Sequence, residues 1–210
     1  MSVGSVSVGS AGLLLLAAVV GYATGSLSPA TWIARARGVD LASEGSGNPG
    51  ATNTGRLLGA RLGVLVFALD LLKGFVPTLA FLLWQGETAG LVAGFAAVMG
   101  HVTSPLLRGR GGRGVATAFG ALLAVSPPTA IAAFLVFALV ALVTRSNALA
   151  SVLAAWTLAV AAVASAVARP ESTDTALVVF SLAIAAVVLW RHRDAISDGW
   201  ARVRRALSGG

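Results

Sequence analysis

The chain has 210 residues, 57% of them hydrophobic and 11% charged, with mean hydropathy +0.87 and a formal net charge of +7. A soluble domain carries roughly a quarter charged residues, so this chain cannot clothe a globular surface with polar groups, and a bilayer must be its solvent. The absence of cysteine excludes disulfides, thiolate nucleophiles and cysteine metal sites. The two histidines, His101 and His192, stand far apart in sequence, so neither a metal nor a cofactor is expected.

In chain order, apolar runs at roughly 13–33, 62–84, 89–102, 115–125, 128–143, 149–168 and 175–190 read as helical spans. The third to fifth are short for a span of about 20 residues. The expected fold is an all-α integral membrane bundle of about seven transmembrane helices, one multi-pass domain over 1–210 with a basic tail at 191–210. The first run lacks the basic flank of a signal peptide, so a retained helix is expected. With the N-terminus outside, one face receives Arg35, Arg37, Arg56, Arg61, Arg108, Arg110, Arg113, Arg145, Arg191, Arg193, Arg202, Arg204 and Arg205. The other receives only Arg169, so the cationic face and the C-terminus are expected in the cytoplasm. Attraction to anionic headgroups explains such charge without nucleic acid. In the tail, "ISDGWARVRRAL" reads as an interfacial helix anchored by Trp200.

That topology gathers the polar, glycine-rich segments on one face. A transporter needs access from both sides, whereas an enzyme needs one site, so an enzyme is favoured. In "EGSGNPGATNTGR", Gly45, Gly47 and Gly50 let the backbone turn with positive φ and approach a ligand closely. Successive amides in such a turn form a nest for an anion. Pro49 biases Asn48 away from helix, and "GATN" opens one, whose N-terminus favours phosphate. Ser46, Thr52 and Asn53 add side-chain hydrogen bonds, and Arg56 adds a cation. The nucleotide-binding pattern GxxxxGK[ST] is missing. "LLRGRGGRGVAT" repeats the grammar with Arg108, Arg110 and Arg113. Two such segments on one face point to two phosphate groups bound side by side.

Asp70 and Lys73 lie three residues apart within a span, on one helix face. Charges at that depth are functional or paired with each other. His101 reads as a base or as a packing histidine. His192, between two arginines, suits hydrogen bonding to phosphate.

Together, "GSLSPATWIARARGVDLASEGSGNPGATNTGR", "LDLLKG", "GHVTSPLLRGRGGRGVAT", "TRSNALASV" and "RHRDAI" resemble, in order, the motifs of the bacterial acyl-phosphate-dependent glycerol-3-phosphate acyltransferases. The resemblance covers nearly the whole chain. It implies a seven-helix enzyme of the bacterial plasma membrane with a cytoplasmic active site. A fatty acyl group would pass from acyl phosphate to the 1-hydroxyl of glycerol 3-phosphate, giving lysophosphatidate and phosphate in phospholipid synthesis. By the same resemblance, Ser46, Gly47, Asn48, Gly50, Ala51, Thr52 and Asn53 hold the acyl phosphate. Arg56, Arg113, Arg145, Ser151 and His192 hold the glycerol 3-phosphate, and His101, His192 and Arg113 are the catalytic candidates. The implied partners are these two substrates and membrane lipid.

An acyl phosphate is already activated, so no covalent nucleophile is needed. Positioning and oxyanion stabilisation would carry the rate. The base would be His101 or a substrate phosphate. The family usually has lysine at Arg113, serine at Ala148 and asparagine at Ala195. These departures fall on the acceptor side, which leaves an altered acceptor or a non-catalytic paralogue as the alternative, and a small-anion transporter behind them.

Overall fold

The computed structural model describes residues 8–168, 174–194 and 196. Among the described residues all regular structure is helical. Two compact units divide the chain, one ending at Ala130 and the other beginning at Ile131. The first contains α1 (Val8–Ser26), α2 (Pro29–Arg35), α3 (Ala51–Leu58), α4 (Ala60–Gln85), α5 (Glu87–Val102), a 3-10 turn (Pro105–Leu107), α6 (Val115–Val125) and the start of α7 (Pro127–Thr144). The second contains the rest of α7, then α8 (Asn147–Ala168) and α9 (Thr175–Arg191).

Each expected span falls on helix, but their lengths depart from the expectation. Among the described residues, five stretches are long and apolar enough to cross a membrane: Ser10–Arg35, Ala60–Gln85, Glu87–Leu107, Pro127–Thr144 and Asn147–Ala168. The third span reaches that length because the 3-10 turn extends α5. Helices α6 and α9 are shorter. The expected interfacial tail helix and Ala195 lie outside the described residues.

The first span is two helices and not one. Pro29 has no N–H to donate and clashes with a preceding helical turn, so α1 stops. Ser28 then caps α2, its Oγ accepting from Thr31 N and sharing a hydrogen with Thr31 Oγ1 at 2.8 Å. Unbroken hydropathy across the junction had masked that cap.

Lipid tails are as apolar as leucine, so helices associate in a membrane by close packing and not by apolar burial. Helices α1 and α5 meet through Gly21, Gly25 and Gly100, where a Cβ would collide with the carbonyls of Ala93, Ala97 and Tyr22. Helices α4 and α6 meet the same way, with Gly74 on the Thr117 carbonyl and Gly120 on that of Leu71. The interior of this unit is accordingly small: Ala93, Ala97 and Ala121 are fully buried. Large side chains face outward, with Leu83 78% and Trp84 60% exposed. This inversion of a water-soluble protein is what a hydrocarbon solvent requires.

In the second unit α8 packs along α9, and a connection this short makes neighbouring helices antiparallel. Ser151 and His192 each stand 17 residues from the joined ends.

Candidate functional site

Between α2 and α3 the chain makes a polar loop whose shape comes from one side chain. Asn53, on the first turn of α3, is fully buried beneath the loop. Its Oδ1 accepts from Ser46 N at 2.9 Å, and its Nδ2 donates to the carbonyls of Glu44 at 3.0 Å and Leu41 at 3.4 Å. Gly45 (φ +64°) lies so close that a Cβ there would collide with Asn53 Oδ1. Gly47 also has positive φ, at +68°. Gly50 differs from the expectation: it is extended, at φ −151°, and begins α3 with no side-chain cap.

The first-turn amides of α3, from Ala51 onward, have no preceding helical carbonyl to meet and point out of its N-terminal end. Above that end Ser46, Gly47 and Thr52 are exposed, Asn48 and Ala51 are half-buried, and Gly50 is buried. Ser46, Gly47 and Thr52 thus lie exposed beside the first-turn amides of α3. Asn53, expected as a ligand, has its polar atoms engaged in holding the loop.

The second loop, after α5, is fastened differently. Gly111 N donates to Val102 O and Gly112 N to His101 O, both at 3.1 Å. A Cβ on Gly111 would collide with the His101 and Val102 carbonyls, and one on Gly112 with the His101 ring. Ser104 Oγ donates to Ser26 O at 2.6 Å, tying the start of the loop to the end of α1. Arg108 and Arg110 are exposed, and Arg113 is half-buried beside Gly114, whose φ of +81° begins α6.

Beneath both loops lies a charged cluster. Lys73 Nζ is 2.9 Å from Asp70 Oδ1 and donates to Leu27 O at 2.7 Å. His101 Nδ1 is 3.7 Å from the same Asp70 oxygen, and its ring is buried. Nearby, an apolar groove of about 410 Å³ runs between α2 and α4, lined by Leu27, Trp32, Ile33, Leu69 and Leu72, with Lys73 also on its wall.

In the second unit, Arg145 is exposed in a left-handed conformation (φ +54°) between α7 and α8. Ser146 Oγ accepts from Leu149 N at 3.3 Å and caps α8. Ser151 is buried and donates to Asn147 O at 2.7 Å, so its oxygen retains acceptor capacity. His192 is 2% exposed, and its Nδ1 meets the Val188 carbonyl at 2.8 Å. A carbonyl only accepts, so Nδ1 carries the hydrogen of that bond. The guanidiniums of Arg191 and Arg193 lie over the Trp190 ring, at 5.6 and 5.7 Å.

The structure therefore brings together Ser46 to Asn53 with Arg56 in one loop and helix start, and His101 with the loop of Arg113. It places Ser151 on α8 and His192 at the C-terminal end of α9. Among the described residues, Arg56, Arg113 and Arg145 have no carboxylate partner, and no group of three potential metal ligands occurs. The Lys73–Leu27 and Ser104–Ser26 contacts were not expected from the sequence. Their only local signal is the pair of Ser-Pro steps, at 28–29 and 104–105.

Apolar helices with large side chains outward, joined by glycine-rich loops whose arginines lack a carboxylate partner among the described residues, define an integral membrane class of protein. Matches with known proteins narrow the class. A model of the glycerol-3-phosphate acyltransferase family matches residues 15–202, and the chain belongs to that family. The glycerol-3-phosphate acyltransferase of Aquifex aeolicus is 44% identical over 142 residues, 67% of this chain and 74% of that protein. Glycerol-3-phosphate acyltransferase 1 of Deinococcus radiodurans is 38% identical over 194 residues, 92% of this chain and 95% of the relative. Crystal structures of PlsY, an integral membrane glycerol 3-phosphate acyltransferase, superpose with TM-scores of 0.78 for the glycerol 3-phosphate form and 0.77 for the lysophosphatidic acid form. Their sequence identities are 37% and 36%, and each comparison covers 93% of this chain and 92% of the neighbour.

Proposed function

We propose that this chain transfers a fatty acyl group from acyl phosphate to the 1-hydroxyl of glycerol 3-phosphate, on the cytoplasmic side of a bacterial plasma membrane. The supporting observation is the pairing of the Asn53-braced cradle with arginines that have no carboxylate partner. In the proposed reaction the hydroxyl oxygen attacks the acyl carbonyl, a C–O bond forms, and the C–O bond to phosphate breaks. The hydroxyl proton ends on the departing phosphate, so the products balance without a covalent enzyme intermediate.

The donor phosphate sits over the α3 N-terminus, held by the amides of Ala51 and Thr52 and the hydroxyls of Ser46 and Thr52, with Gly47, Asn48 and Gly50 shaping the rim. Asn53 contributes by holding the loop. The acyl chain follows the apolar groove between α2 and α4. By the family resemblance, Arg56 and Arg113 are the acceptor candidates of the first unit, and Arg145, Ser151 and His192 are those of the second. Arg113 opposes charge on the reacting phosphate. The arginine surplus on the loop side of the spans supports a cytoplasmic face.

Purified protein incubated with palmitoyl phosphate and labelled glycerol 3-phosphate should yield lysophosphatidate. Transfer to other polyols or their phosphates, with glycerol 3-phosphate inert, would overturn the acceptor assignment, to which Arg113 and Ala148 are relevant. No transfer to any acceptor would overturn the enzyme reading.

A further inference from the structure

Asp70 and Lys73 are one turn apart on α4 and buried, at 3% and 9% exposure. Desolvating two charges inside an apolar helix is expensive, and a pair that only neutralised itself would be replaceable by apolar side chains. Here each member also faces a second group, and the two second groups lead to different loops.

Lys73 Nζ donates to the Leu27 carbonyl. In a continuous helix that carbonyl would accept from Thr31 N, four residues on. Pro29 ends α1, and Thr31 N turns to Ser28 Oγ. Lys73 thus takes over a carbonyl released by the break and fixes the point from which α2 departs. Helix α2 then packs Ala30 and Ala34 with Leu41 and Val66, the cluster on which Ala51 also rests. That cluster is the floor of the glycine loop.

Asp70 approaches its second group with the same oxygen that meets Lys73. Its Oδ1 lies 3.7 Å from His101 Nδ1. The His101 carbonyl accepts from Gly112 N, and its ring lies against Gly112. His101 is therefore the seat of the arginine loop, and Asp70 stands behind that seat.

We propose that Asp70 and Lys73 are positioning residues that hold the two anion-binding loops in fixed mutual register. Lys73 acts through the α1–α2 break on residues 38–50, and Asp70 acts through His101 on residues 108–114. The assignment of substrates to the loops rests on the proposed acyltransferase reading; the mechanical linkage does not.

The test uses the full chain in nanodiscs, with two readouts: KM and kcat for both substrates, and backbone hydrogen exchange of the two loops without substrate. Lys73→Met should raise the acyl phosphate KM at least about tenfold and speed exchange in 38–50. Asp70→Asn should do the same for glycerol 3-phosphate and for 108–114. Each should move the other substrate's KM by less than about threefold. His101→Ala should reproduce the Asp70→Asn effect, with little added by combining them. The double variant Asp70→Asn/Lys73→Met leaves no unpaired buried charge, so it carries the test if a single variant fails to fold.

Wild-type KM values and wild-type exchange in the double variant would overturn the proposal, whatever its Tm. Equal shifts of both KM values in every single variant would overturn it as well. An inactive wild type would overturn the acyltransferase reading, and loop exchange would still decide the linkage.

Discussion

The two glycine-rich loops of the first unit look alike in composition but are built by different means. The loop before α3 is braced from inside by one side chain, Asn53, with three hydrogen bonds to loop backbone. The loop after α5 is fastened by its own backbone, with Gly111 and Gly112 pressed against the end of α5. A side-chain brace can be removed, leaving the chain free to relax. A backbone contact offers no such slack, because an added Cβ has only carbonyls and a seated ring to push against. The second loop should therefore be the more brittle.

The largest effect should follow Gly111→Ala. Its Cβ would meet the His101 and Val102 carbonyls, and a displacement of about 1 Å at a reacting site is worth roughly 100-fold in rate. Acyl transfer should fall by about that factor or more in a steady-state assay. Retention of more than about a tenth of the activity would remove the claimed rigidity.

Asn53→Ala should come next. It leaves the Ser46 amide and the Leu41 and Glu44 carbonyls without that partner, and an unsatisfied buried polar group costs about 1–3 kcal/mol. The acyl phosphate KM should rise about tenfold or more, with kcat less affected. A rise confined to the glycerol 3-phosphate KM would mean that the loops have been assigned in the wrong order.

Arg56→Ala tests the acceptor side of the same helix. Hydrogen bonds to charged groups contribute about 1.5–3 kcal/mol, so kcat/KM for glycerol 3-phosphate should drop about 10- to 100-fold. Stability should change little, because Arg56 is exposed. An unchanged acceptor kcat/KM would remove Arg56 from the site.

The smallest stability effect should come from Gly50→Ala. The backbone there is extended, and a Cβ would meet only the end of the flexible Asn48 side chain. Thermal unfolding should report a change within about 0.5 kcal/mol. If acyl phosphate binding nonetheless collapses, the bound phosphate itself approaches Gly50.

Much of this fold could be read from residue order. The helix edges follow Gly59, Gly86 and Gly114, and the fourth run, 115–125, coincides with α6. The "GATN" helix start, the positive φ of Gly45 and Gly47, and the Asp70–Lys73 pair were also legible. Each depends on neighbours within about one turn, where sequence spacing is geometry. The break at Pro29 left a sign in Ser28 and Thr31, but continuous hydropathy hid it.

The hydrogen-bond partners of Asn53, Lys73 and Ser104 were not legible, for a common reason. Asn53 reaches back 12 residues to Leu41, Lys73 reaches back 46 to Leu27, and Ser104 reaches 78 to Ser26. Nothing in local spacing marks which carbonyl a buried donor will find. By itself the sequence determined the solvent, the helical class, the family and the position of the polar glycine-rich segments, because composition, periodicity and motif order are properties of the chain alone. Only the tertiary structure decided which polar side chains stand open to a ligand and which are consumed in bracing a loop. A buried polar group must be paired, and its partner is chosen by packing across distant segments.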